Sequence, residues 1–467
     1  MSQRHSLKSD VNVVKIDVLV AEIGSTTTVV NGFDSVHTEE PVFLGQGQAP
    51  TSVLEGDVRI GLNAAINDFK QKLGVDTLAY TEMFATSSAA GGLRMSVHGL
   101  VFDMTVRAAK EAALGAGAIV HQVTAGKLRR TDLKALAELD PNIILIAGGV
   151  DYGERETAID NAEKISNLQL EIPVIYAGNI ENQEEMRLIF EDQPLHLVEN
   201  VFPKIDELNV EPTRKVIQDV FEANIMHAPG MNHVFDMVTE TITPTPGAVM
   251  QAAKLIANHL GDVLVFDVGG ATTDIHSVTK GSEELGQIQV SPEPVAKRTV
   301  EGDLGVYVNF KNVVELIGAE VLAKEGFDLE ALSESYKQIP KSEEEKRFVS
   351  RLTEEAVMLG MKRHVGKIRH VYGPTGRQTL VQGKDLTQVK YIIGTGGALT
   401  RLKGGADILN RIVTQHNPEQ LLLPSAGASV LLDHDYIMAS LGVLSYKYEA
   451  AALRLLKQSF EKEVEMG

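Results

Sequence analysis

Two thirteen-residue segments of the chain carry the same chemical pattern. VLVAEIGSTTTVV (18–30) and VLVFDVGGATTDI (263–275) agree at six of thirteen positions without a gap. Each sets a carboxylate two residues ahead of a glycine, Glu22 before Gly24 and Asp267 before Gly269. Hydroxyl and β-branched residues follow: Ser25, Thr26 and Thr27 in the first, Gly270, Thr272, Thr273 and then Asp274 in the second. A tight glycine turn exposes backbone N–H groups, which with nearby hydroxyls can cradle phosphate oxygens. An acid at the base of the turn can face a hydrated Mg²⁺ that bridges those phosphates. The pattern is not a Walker loop, because GxxxxGK[ST] is absent and a β-branched run follows each glycine turn. One such hairpin is an ordinary turn; its repetition with matching acids makes a candidate site. A third cluster, Gly394-Thr395-Gly396-Gly397-Ala398, follows the apolar run VKYII, where glycines let a flat ring lie on the backbone at the end of a strand.

These turns need strands to hold them. VVKIDVLV (13–20) reads as a buried strand, Thr26–Val30 as its hairpin partner, and VLVFDV (263–268) and VKYIIG (389–394) as further buried strands. Between the repeats, residues 131–225 alternate strand and helix: NIILIA (142–147), IPVIYA (172–177) and LHLVEN (195–200), each followed by a helical stretch. That alternation predicts a parallel, doubly wound subdomain. Its AGG (147–149) and AGN (177–179) turns lie at the carboxyl ends of strands, where ligands gather in open α/β sheets, though the plainer reading is that they cap the strands. TPTPG (243–247) marks a boundary. Residues 311–324 and 327–366 read as charged helices, with KSEEEKR (341–347) a solvated face. The expected organisation is a disordered tail at 1–10, a first lobe at 11–100 with 243–262, an inserted subdomain at 101–242 and a second lobe at 263–467.

The 467 residues are 43% hydrophobic and 23% charged, ordinary for a globular protein. A net charge of −19 speaks against nucleic acid and anionic lipid. No cysteine is present, which excludes disulfides, thiolate metal sites and a cysteine nucleophile. No apolar run is long enough to span a membrane and the first ten residues are no secretory signal. A cytoplasmic setting is the expectation.

With its three elements in this order, the chain resembles the actin, hexokinase and 70-kDa heat-shock chaperone superfamily of ATPases. The resemblance implies an α/β, two-lobed actin-like ATPase fold, with duplicated ribonuclease-H-like lobes and an inserted doubly wound α/β subdomain. EIGSTTT (22–28) and DVGGATTD (267–274) match its two phosphate motifs, and GTGGA (394–398) its adenosine motif. TPGAVMQAAKLIA (245–257) and DYIMASLGVL (435–444) resemble the small-residue helices that cross at the interlobe hinge. RTVEGDLGV (298–306), LLLPSAG (421–427) and LLDHDYIMASLGVL (431–444) narrow the resemblance to the GlmL/MutL family, and within it to the branch linked to ornithine degradation. This family is unrelated to the mismatch-repair protein of similar name. One departure is Glu22, where superfamily members usually carry Asp; the extra methylene shifts a metal shell or admits another water.

The resemblance implies an ATP-hydrolysing, chaperone-like reactivating factor for an adenosylcobalamin-dependent aminomutase, D-ornithine 4,5-aminomutase or a relative, that promotes release of damaged cobalamin. ATP and Mg²⁺ are the implied cofactors. Glu22, Asp267 and Asp274 are the candidate catalytic residues, with Glu22 and Asp267 facing the metal through water. Gly24, Ser25, Thr26, Thr27, Gly269, Gly270, Thr272, Thr273, Gly394, Thr395, Gly396 and Gly397 are the candidate nucleotide contacts. The implied partner is the mutase complex, docked on the inserted subdomain; homo-oligomerisation is left open. Two rivals share the fold: a small-molecule kinase, with Asp274, Glu301 or Asp303 as base, and a nucleotide-binding scaffold. For Glu301 and Asp303 a plainer reading is helix capping.

Overall fold

The computed structural model describes residues 12–24, 26–52, 57–88, 93–116, 118–205, 207–225, 234–239, 242–373, 376–417 and 419–462. The expected tail at 1–10 and Ser25 lie outside these. The chain opens with β1 (Val13–Ile23), β2 (Thr27–Asp34), β3 (Val42–Pro50) and β4 (Thr77–Ser87). It continues through β5 (Leu93–Gly99), β6 (Ala118–Ala125), β7 (Ile143–Ile146), β8 (Val174–Tyr176) and β9 (Leu195–Leu197), and returns as β10 (Ile242–Pro244). The second half carries β11 (Val263–Val268), β12 (Thr273–Val278), β13 (Ala296–Glu301), the hairpin β14 (Lys367–Gly373) and β15 (Gly376–Gln382), then β16 (Tyr391–Thr395) and β17 (Ser429–Leu432).

Two five-stranded sheets repeat one topology. The first runs β10-β4-β1-β2-β3 and the second β17-β16-β11-β12-β13. In each, an antiparallel meander of three strands is extended by two parallel strands on the far side of its first member. The matching strands β1 and β11 sit at the sheet centres, which is why both read as nearly unbroken apolar runs. This duplication is the two-lobed, actin-like ATPase fold.

The inserted sheet is all parallel, in the order β6-β5-β7-β8-β9. It starts earlier than expected, because Leu93–Gly99, assigned above to the first lobe, is its second strand. One face has its own core, built on Ile144, Ile146, Ala162, Tyr176 and Phe190. The other face is continuous with the first lobe, since Met95, Val97, Leu145 and Ile175 share a core with Leu19, Ala21 and Phe69. The subdomain therefore does not bury its apolar surface alone.

Helix Thr245–Leu260 and helix Met438–Leu444 cross between the lobes. The first packs chiefly on β11–β13 and the second on β1 and β4. The expected boundaries thus exchange these helices: 245–260 packs with the second sheet, and 438–444 with the first. The crossing is tight enough that a Cβ at Gly442 would sit 1.9 Å from the Ala248 carbonyl oxygen. The helical expectation for 327–366 resolves into Leu329–Ser335 and Glu343–His364, the latter started by a capping box of Ser342 and Glu345. Among the described residues, no helix is long and apolar enough to cross a membrane.

Gly442→Ala should force the crossing helices apart. Overpacking of this kind costs about 1–3 kcal/mol, read as a lower urea midpoint. Wild-type stability in the variant would mean that the helices do not meet there.

Candidate functional site: the cleft between the two turns

A cavity of about 670 Å³ opens between the lobes, a size suited to a nucleotide-like ligand. Glu22, Gly24, Thr26 and Thr27 line it from the first lobe, and Asp267, Gly269, Gly270, Thr272, Asp274 and Gly397 from the second. The two hairpin turns are built alike. The Gly24 N–H donates to the Thr27 carbonyl at 3.0 Å, and the Gly269 N–H to the Thr272 carbonyl at 2.9 Å. These two amides are thereby used inside their own turns. On the second turn the Gly270 carbonyl is held by the N–H groups of Tyr307 and Val308 at 2.9 and 2.7 Å. Among the described residues, nothing accepts from the amides of Gly270, Ala271 or Thr272. They are the second turn's free donors.

The three sequence elements converge. A Cβ at Gly270 would lie 3.3 Å from Thr26 Oγ1, so the turns nearly touch across the cleft. Gly396 has φ +86°, and a Cβ there would fall 2.8 Å from Asp267 Oδ1 and 2.5 Å from the Val268 carbonyl. The GTGG segment thus folds directly onto the second turn. Within it only Gly397 lines the cavity. The Thr395 hydroxyl is buried and donates to Asp433 Oδ2 at 2.9 Å, and Gly394 packs among Leu399, Leu409 and Leu432. Thr273 likewise turns away, its hydroxyl donating to the Leu304 carbonyl at 2.8 Å. Thr273, Gly394, Thr395 and Gly396 therefore shape the site from behind.

The cleft floor is acidic and poorly solvated. Burial and the nearby Asp267 charge raise the Glu22 carboxyl to about 8. Burial and the neighbouring Asp274 charge raise Asp267 to about 7. Glu22 Oε1 accepts from the Tyr436 hydroxyl at 3.3 Å, while its buried Oε2 has no partner among the described residues. An orphaned carboxylate oxygen facing a second acid fits a hard cation such as Mg²⁺. No cluster of three ligating side chains exists among the described residues, so that contact would run through water and phosphate. Asp433, also buried, is consumed structurally: it accepts from Thr395, Ser459 and the N–H groups of Ile437 and Met438, capping the crossing helix.

Asp274 is held differently. Its Oδ1 takes Arg298 Nε at 3.0 Å and Nη2 at 2.5 Å, and its Oδ2 accepts from the Thr272 hydroxyl at 2.9 Å. Buried Arg298 also donates from Nη1 to the carbonyls of Leu114 and Ala118, in the inserted subdomain, at 3.0 and 3.2 Å. Arg214 of the insert returns the contact, donating to the Ala296 carbonyl on β13 at 2.8 Å. The insert is covalently part of the first lobe yet bolted to the second. Glu301 and Asp303 cap no helix: both pair with Arg363, at 2.6 and 2.7 Å. The helix there begins at Phe310.

Sequence reasoning missed Tyr436, Arg298, Arg401 and Lys346 as cavity residues. Tyr436 and Arg298 lay inside quoted motifs, and the positive φ of Tyr436 (+53°) has no signature in a single sequence. Lys346 belongs to the charge run read as solvated, but the helix turns it toward the cleft.

Replacing Arg298 by Met should strand a buried Asp274 carboxylate, at a cost of about 3–5 kcal/mol. Arg298→Met with Asp274→Asn should recover much of that loss, giving a strong coupling in a double-mutant cycle of urea unfolding. Additive losses would show that the pair is not a unit.

Comparison with known proteins follows the same lines. A family model described as MutL protein matches residues 18–460. Protein MutL of Clostridium tetanomorphum is 35% identical over 462 residues, spanning 95% of this chain and 99% of that one. Among solved structures, nucleotide-free acetone carboxylase aligns with a TM-score of 0.41 and 13% identity over 92% of this chain and 70% of that chain. Glycerol dehydratase reactivase aligns with a TM-score of 0.32 and 10% identity over 92% of this chain and 99% of that chain. The family match and the relative together cover nearly the whole chain, both phosphate-type turns and the cleft between them, and the chain belongs to the MutL protein family.

Proposed function

We propose that the protein is an ATP-driven reactivating factor for an adenosylcobalamin-dependent aminomutase. The observation that carries the reading is the buried acid pair, Glu22 and Asp267, set beside the free amides of Gly270, Ala271 and Thr272 in a two-lobed cleft. The amides and the Thr26 and Thr27 hydroxyls bind and orient phosphate oxygens, whose charge their dipoles offset. When bound, Mg²⁺ would screen the phosphates and offset the Glu22 and Asp267 charges. Glu22 and Asp267 orient the water around it, and Tyr436 fixes the Glu22 carboxylate in the cleft. Gly397, Ala398, Arg401 and Leu402 line the cavity beside the GTGG turn, where they would hold the adenosine end.

Family membership supports the reading on the partner side, because the GlmL/MutL resemblance implies an adenosylcobalamin-dependent mutase as partner. ATP-dependent lobe movement would reach the insert through Arg298 and Arg214, and the insert would prise the mutase open for damaged cobalamin to leave. The kinase alternative draws no support from its proposed bases, since Asp274, Glu301 and Asp303 are each engaged by an arginine.

The test uses inactivated D-ornithine 4,5-aminomutase with this protein, ATP, Mg²⁺ and fresh adenosylcobalamin. Activity should return with the wild-type chain. Asp267→Asn should lower ATP turnover about 10²–10³-fold and abolish rescue, while nucleotide affinity changes far less, because binding is spread over several amides. Rescue without ATP, or an Asp267→Asn variant that hydrolyses at the parent rate, contradicts the mechanism.

A further inference from the structure

The carboxyl-end loops of the inserted sheet form one laced cluster. Asp151 Oδ1 accepts from the Ile180 N–H at 3.0 Å and from Asn200 Nδ2 at 2.9 Å. Asn179 Oδ1 accepts from the Tyr152 N–H at 3.1 Å, and the Asp151 N–H donates to the Pro203 carbonyl at 2.9 Å. Asn179 and Asn200 are buried, so the loops after β7, β8 and β9 are fixed to one another from beneath. On top of this rigid base stand three large apolar side chains: Tyr152, 77% exposed, Ile180, 48%, and Ile205, 70%. Single exposed apolar residues are ordinary, but three on one braced loop cluster form a patch. Tyr152 also holds φ +62°, a left-handed conformation that costs a non-glycine residue energy and persists here through the Asn179 bond. An aromatic ring held outward by a strained, braced backbone is preorganised for a pocket.

The charge around the patch says what covers it. Arg155 pairs with Glu181 at 3.9 Å and Lys204 with Glu207 at 3.1 Å, so its basic groups are already matched. Glu154, Glu156 and Glu199 then leave the rim acidic. A second copy of a chain with net charge −19 would meet this rim with its own acids. Nucleic acid and anionic lipid are disfavoured on the same ground.

We infer that Tyr152, Ile180 and Ile205 dock the partner enzyme, filling an apolar socket rimmed by lysine or arginine. The inference rests on the reactivating-factor reading. It adds the face, the anchor and the charge of the surface that meets it. This face lies on the subdomain that Arg298 and Arg214 tie to the second lobe, so a partner held here would feel lobe movement.

The experiment titrates full-length protein with purified D-ornithine 4,5-aminomutase by surface-based binding at low and moderate NaCl. Tyr152→Asn keeps a residue that tolerates the left-handed backbone while removing the ring. It should weaken binding about 30-fold, the size of one interface hot spot. Ile205→Ser should weaken it in the same direction, Glu156→Lys should lower the association rate, and wild-type affinity should fall with salt. Nucleotide binding should be unchanged in all three variants, which shows that they fold. Wild-type mutase affinity in Tyr152→Asn and Ile205→Ser overturns this face while leaving the function reading intact. No binding by the wild-type chain overturns both. Loss of a homodimer, in place of mutase binding, on Tyr152→Asn assigns the face to a second copy and overturns the inference.

Discussion

Glu22 and Asp267 come from different sheets, more than two hundred residues apart in sequence, and meet as buried like charges at the floor of one cleft. Such a pair is unfavourable by itself, since burial and mutual repulsion both resist ionisation. It persists because the surrounding fold leaves it no alternative. β1 and β11 end at these acids, the glycine turns after them nearly touch, and Gly396 presses on Asp267 from behind. Tyr436 supplies one hydrogen bond to Glu22, and among the described residues none satisfies the other oxygen. The cleft floor is thus a buried pair of acids whose carboxyls burial and neighbouring acidic charge hold well above the usual carboxylate range.

The rest of the molecule holds that pair together. The duplicated sheets are linked by two small-residue helices whose backbones meet at Gly442 and Ala248. Each helix packs mainly on the opposite half's sheet, so their crossing ties the two sheets together. The inserted subdomain adds a second linkage. It leaves and re-enters the first lobe through β4 and β10, yet Arg298 and Arg214 hold it to β13. The Thr272–Asp274–Arg298 chain of hydrogen bonds runs from the second turn to the Leu114 and Ala118 carbonyls. These buried bonds join the second turn to the insert directly.

Much of this was legible in sequence because it depends on local pattern. The acid–glycine–threonine repeat located both turns, and apolar runs located the central strands. Alternating strands and helices revealed the insert, and small residues revealed the crossing helices. What was not legible depends on long-range packing. Sequence reading does not pick out Leu93–Gly99 as a strand, and its pairing with β6 and β7 places it in the insert. The two crossing helices carry no mark of which sheet they pack on. Thr395 and Thr273 look like ligand hydroxyls until Asp433 and the Leu304 carbonyl claim them. Arg298 opens the quoted RTVEGDLGV motif, and its role appears only when strand β13 brings it beside Asp274 and the insert. Glu301 and Asp303 suggested a cap or a base, but Arg363, sixty residues away, engages both.

The central claim is that the two turns and their acids form one phosphate-binding cleft. The most direct measurement is a structure of the full chain with Mg²⁺ and a non-hydrolysable ATP analogue. The account predicts phosphate oxygens within hydrogen-bond reach, about 3 Å, of the Gly270, Ala271 or Thr272 amides, with the metal's waters on Glu22 and Asp267. An analogue bound elsewhere, or in the cleft with its phosphates turned away from both turns, would contradict it.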